Sequence, residues 1–167
     1  MTTNPNRSAC RSALIPCALA ALVLAPAAFG PAPASAQDAP RAVTTINGQP
    51  VPGRMLPLQD VTTMLDTIDA DGNRLVITRG IRKAGTRVAI HVHEHGGHTC
   101  VLSGSITDFV EGHAPSLWPA GTCYYMPPNV PMSAANLGTE DAVLVDTFVL
   151  PPGAPTITII ELGWPGN

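Results

Sequence analysis

Beyond residue 55 the chain sets short runs rich in Val, Ile, Thr, Leu and aromatic residues against frequent turn signals. The pattern predicts strands over 61–68, 74–78, 86–93, 99–102, 105–110, 122–126, 142–150 and 156–162, with a turn at Asp71-Gly72-Asn73. A spacing near ten residues suits a β-sandwich or small barrel. No 3.6-residue apolar period and no internal repeat interrupts that rhythm. The amino terminus reads differently: Arg7 and Arg11, no acidic residue, an apolar stretch over 12–30 and then Ala34-Ser35-Ala36. These are the parts of a secretory signal peptide over 1–36, cleaved before Gln37. Pro16 and Pro26 interrupt the apolar run, which argues against a retained membrane span. Between them, residues 37–55 are polar and rich in Pro and Gly, a linker or an arm laid on the surface, and compact structure is expected over 56–167.

Composition narrows the function. The 167 residues include 18 Pro and 15 Gly, too many for long helices, so a helical bundle is excluded. With 9 Lys+Arg against 12 Asp+Glu there is no basic excess to bind nucleic acid. A small molecule is the expected partner, and a homodimer is allowed. Export to the periplasm or beyond would leave Cys100 and Cys123 as the remaining cysteines, where a disulfide can persist; two buried thiols on neighbouring strands is the other reading.

Four of the five histidines, His91, His93, His95 and His98, fall within eight residues. In a continuous strand, Arg87, Ala89, His91 and His93 share one face, so two imidazoles point together and can grip one divalent ion. A solvated histidine-rich hairpin tip is the plainer alternative. Position 97 is glycine, which removes the second ligand of a helical His-Glu-x-x-His zinc motif, and no Gly-x-Ser-x-Gly elbow supports a serine nucleophile.

The same residues resemble the cupin superfamily of small β-barrels. The first cupin motif matches Gly85-TRVAI-His91-Val92-His93-EHG-Gly97-HTCVLS-Gly104, and the second matches Gly121-TCYYM-Pro127-Pro128-Asn129-VP-Met132-SAA-Asn136. The resemblance implies an all-β fold, one cupin-type barrel (double-stranded β-helix, jelly roll) after the signal peptide. It also implies a metal site of three histidines and a carboxylate, of which His91 and His93 remain. Gly97 stands for the glutamate and Met132 for the third histidine. A rebuilt site would use His91, His93, Met132 and one of His95 or His98 swung inward at Gly96-Gly97, holding copper, zinc, iron or manganese. Tyr125, one of the pair Tyr124-Tyr125, and Arg87 are the candidate catalytic or substrate-binding side chains, while Asp146 points either into the barrel or outward. The resemblance places Cys100 and Cys123 on two strands of one barrel, where a disulfide is expected. The implied function is a secreted, metal-dependent, small-molecule enzyme of dioxygenase, isomerase or lyase type, or else a non-catalytic periplasmic copper or ligand binder with a degenerate site.

Overall fold

The structure is a computed structural model that describes residues 42–166; the signal-peptide segment and its cleavage point lie outside them. The strands are β1 (Arg54–Met55), β2 (Gln59–Ile68), β3 (Arg74–Arg82), β4 (Thr86–Arg87), β5 (His91–Val92), β6 (Gly97–Ser103), β7 (Ser105–Val110), β8 (Ser116–Pro119), β9 (Cys123–Met126), β10 (Met132–Asn136), β11 (Ala142–Leu150) and β12 (Thr158–Ile159). No helix among the described residues is long and apolar enough to cross a membrane.

One sheet runs β2-β3-β11-β6-β9; the other runs β1-β4-β10-β5-β12, with β7 bonded to β10 and to β8. Pairing is nested: β3 with β11, β4 and β5 with β10, β6 with β9, and β7 with β8 innermost. Successive pairs alternate between the two sheets, so the outgoing and returning halves of the chain wind together. That is the double-stranded β-helix of the cupins, as the sequence motifs imply. The β2–β3 hairpin closes at the expected turn, where the Asp69 carboxylate accepts from the amides of Asp71 and Asn73 and Gly72 takes φ +83°.

Two apolar clusters hold the barrel. Val101, Ile106, Leu144, Phe148 and Leu150 fill its interior. Ile46, Val51 and Ile90, joined by Val43, Phe109 and Ile160, form a second cluster. Phe109 alternates with the inward Asp108 and Val110, so this cluster lies on the outer face of the β10-containing sheet. Burial therefore begins at Ile46, ahead of Met55, and the described part of the 37–55 arm lies against the barrel. Asn47 fixes it by donating to the carbonyls of Val110 and His113.

The stretch expected as one strand over 86–93 is broken. Arg87 pairs with Ala135 and His91 with Met132, so the β4–β5 side carries one residue more than β10 between the same two rungs. This bulge reverses the inside–outside alternation between Arg87 and His91.

Candidate active site

His91 and His93 enter the interior from β5 and the residue beyond it, each only 3% exposed. His91 Nδ1 lies 2.7 Å from the Ala89 carbonyl and His93 Nδ1 lies 2.6 Å from the Thr156 carbonyl. A carbonyl oxygen only accepts, so both Nδ1 atoms carry hydrogen and the lone pair of each neutral ring sits on Nε2. The two Nε2 atoms face each other at 3.0 Å with the rings at 87°. Both rings are held neutral. Burial, then the neighbouring His93 and the charge of Arg82, push His91 down to about 3 against the opposing Ala89 hydrogen bond; burial also lowers His93. Two lone pairs so placed repel unless a cation lies between them, and the pair therefore suits a metal ion bound through imidazole nitrogen.

Other positions differ from the family pattern. A Cβ on Gly97 would lie 2.6 and 2.7 Å from ring carbons of Phe148 and 2.8 Å from the Met126 methyl. Phe148, stacked on His93 at 5.4 Å, therefore fills the space in which a carboxylate side chain would stand. Met132 is buried directly across the ladder from His91 and borders the interior cavity. His95 and His98 do not join them. Gly97 already belongs to β6 and pairs with Met126, so alternation turns Gly97, Thr99 and Val101 inward and His98 outward. His98 packs at 5.2 Å against Tyr125 outside the barrel, and His95 is exposed. Among the described residues no group of three or more His, Cys, Asp or Glu side chains converges as a metal-ligand set.

Tyr125 and Arg87 are also corrected. Tyr125 is 54% exposed, and alternation along β9 gives the interior position to Tyr124, whose phenol burial and the nearby Asp146 push up. Arg87, displaced from the histidine face by the bulge, is bound in two parallel hydrogen bonds of 2.6 and 2.7 Å to Glu161. Burial opposes ionisation of Glu161, but the Arg87 bonds and the Ile90 amide outweigh it and hold the carboxyl below its usual range.

The imidazoles open on a cavity of about 260 Å³ with a largely apolar wall that includes Val88, Leu144, Phe148, Ile157 and Trp164. Its remaining polar side chains include Thr78, Arg82, Thr99, Tyr124 and Asp146. Asp146 points inward, accepts from the Thr99 hydroxyl at 2.6 Å, and is pushed up by burial. Arg82 was missed from sequence because its strand was expected to end at Thr78. Carried four residues further, the alternation that turns Val76 inward places Arg82 inward too. Cys100 and Cys123 face each other across β6 and β9 and form the expected disulfide.

No family model matches the sequence, and no curated protein matches it. Solved structures similar to it include a protein with a double-stranded β-helix domain from Klebsiella pneumoniae (26% identity, 72% of this chain and 91% of that one, TM-score 0.49). DMSP lyase DddQ from Ruegeria pomeroyi matches at 15% identity over 61% of this chain and 51% of its own (TM-score 0.49). A recombinant oxalate oxidase in complex with glycolate matches at 20% identity over 60% and 54% (TM-score 0.49). The chain thus spans about half the length of the last two. All three scores fall below 0.5, and the fold assignment rests on the strand order.

Proposed function

We propose that this chain is an exported small-molecule-binding cupin in which His91 and His93 take a soft transition-metal ion beside the interior cavity, the arrangement of a metal-dependent enzyme. The observation that carries the reading is the pair of Nε2 lone pairs facing each other at 3.0 Å, each fixed by a carbonyl bond to its Nδ1. Two imidazoles with the Met132 thioether across the ladder favour Cu(I) over the hard ions that a carboxylate would select. A bound ion would supply Lewis-acid polarisation of a carbonyl or hydroxyl. The chain's own residues would then bind and orient the ligand: Val88, Leu144 and Phe148 exclude water, and Tyr124 holds a proton inside the cavity beside the Asp146 carboxyl, which burial pushes up. A non-catalytic binder is the second reading, favoured by Phe148 occupying the carboxylate's space. The disulfide and the amino-terminal signal pattern support export to an oxidising compartment.

The test is calorimetric titration of untagged, metal-free protein with Cu(I), Zn(II), Fe(II) and Mn(II). Cu(I) should bind best, His91→Ala and His93→Ala should each abolish binding, and Met132→His should shift preference toward zinc, iron or manganese. His95→Ala and His98→Ala should change nothing, because both side chains lie outside the barrel. Parent affinity for all four ions weaker than about millimolar, or binding that survives His91→Ala, refutes the metal reading and leaves the metal-free binder.

A further inference from the structure

Arg82 has no obvious reason to be inside the barrel. It is 3% exposed, borders the cavity, and makes one hydrogen bond, from Nη1 to the Leu56 carbonyl. Its Nε is buried without a partner. The ion pairs among the described residues, Arg74–Asp66, Lys83–Asp141 and Arg87–Glu161, lie elsewhere. Asp146 borders the same cavity, but its carboxylate accepts from Thr99 and stands outside ion-pair distance of the guanidinium. A guanidinium carries five N–H donors, and leaving even one buried and unbonded is costly.

We propose that Arg82 anchors the carboxylate of the cavity's ligand, a small monocarboxylic acid with an apolar body. This rests on reading the cavity as a small-molecule site. Several features select that class. The guanidinium fork matches a planar carboxylate in two parallel hydrogen bonds. Val88, Leu144, Phe148 and Ile157 offer only apolar contact to the remainder of the ligand. Among the described residues no second Lys or Arg borders the cavity to balance a dianion such as phosphate. The volume, about 260 Å³, lies below the range of drug-sized pockets, so the body is small. The anchor and the imidazoles line one cavity. A carboxylate held at Arg82 therefore leaves the ligand's other end free to reach the imidazoles.

Benzoate and benzamide have nearly the same shape and differ in charge, so calorimetry with both probes on the full chain isolates the anchor. The parent should bind benzoate about tenfold or more tightly than benzamide, the return expected for one charge-assisted pair. Arg82→Gln, which removes both the charge and the fork, should bring the ratio to about one. Arg82→Lys keeps the charge without the fork and should lower the ratio severalfold; this comparison stands even if Arg82→Gln fails to fold. A parent that binds both probes equally, or a preference that survives the substitutions, overturns the anchor while leaving the cavity reading intact. Binding of neither probe overturns both, and the metal titration remains an independent measure of the imidazole pair.

Discussion

Gly97→Ala is the sharpest perturbation of the space beside His93. Gly97 does not use the left-handed region, so alanine there meets no backbone strain, and in a strand it would ordinarily be favoured over glycine by about 0.5–1 kcal/mol. Contact reverses that sign. The new methyl would lie 2.6 and 2.7 Å from two Phe148 ring carbons, and 2.8 Å from the flexible end of Met126. The methionine can turn away; the Phe148 ring, stacked on His93, cannot move without disturbing it. Overpacking of this kind costs about 1–3 kcal/mol. Phe148→Ala alone removes a buried ring and should cost about 3–5 kcal/mol. In the Phe148→Ala background two of the three close contacts vanish, so Gly97→Ala should become neutral or slightly stabilising. The resulting coupling is about 2 kcal/mol or more, in the direction of rescue. Urea unfolding of the four proteins, with m values compared to confirm an unchanged transition, measures it. If Gly97→Ala destabilises equally with and without Phe148, the ring does not fill the ligand's space and the account of the missing carboxylate fails.

Asp108 is 7% exposed, with one carboxylate oxygen unpartnered, and burial pushes its carboxyl up to about 7. The folded state then holds a proton that the unfolded chain, with its group near 3.9, releases; this contribution is fully favourable below about pH 4 and is lost as pH rises through 7. Asp108→Asn should stabilise the protein by about 2–4 kcal/mol at pH 8 relative to the parent and by little at pH 4; equal effects at both pH values in thermal or urea unfolding would refute this. Arg87→Met strands the buried Glu161 carboxylate and should cost about 3–5 kcal/mol, most of it recovered by adding Glu161→Gln; a loss under 1 kcal/mol in urea unfolding would show that the pair is solvated. Reducing Cys100–Cys123, or changing both to Ser, should cost about 3 kcal/mol from a separation of 23 residues, and non-reducing mass analysis that finds two free thiols would remove the bridge.

The strands with alternating, β-branched sequence were legible: 105–110 and 142–150 fall where the pattern puts them. Met132–Asn136 escaped that pattern because all five residues are buried, so Ser133, Ala134 and Ala135 show no contrast between faces. The imidazole pair was legible as well, since His91 and His93 are two apart and both turn inward. Their neighbours were not. Spacing cannot reveal a bulge, and one extra residue between Arg87 and His91 sends the arginine to Glu161 instead of the cavity. Nor can glycine at 97 reveal that Phe148, distant in sequence, fills the gap. Tyr124 and Arg82 were accessible in principle through strand parity, the first by choosing the face of β9 and the second by extending β3.

The bulge, the carboxyl-terminal segment and the imidazole pair behave as one structural unit. Where β4 gives way to β5, the Ile90 amide leaves the ladder and donates to Glu161, while the amides of Ile160 and Glu161 donate to the Ile90 carbonyl. Glu161 also holds Arg87, which turns the strand's polar side chain away from the cavity. The bulge presents the Ala89 carbonyl to His91, and the carboxyl-terminal segment presents the Thr156 carbonyl to His93. Each ring therefore receives its tautomer from backbone whose position depends on the other contacts. A carbonyl can fix a tautomer without adding charge, as a second carboxylate could not. The centre keeps two neutral donors, and the cavity's buried cation, Arg82, makes no direct ion pair among the described residues. The two lone pairs stay aligned with no third histidine or carboxylate beside them among the described residues, because the parts that align them belong to the strand break and the carboxyl-terminal segment.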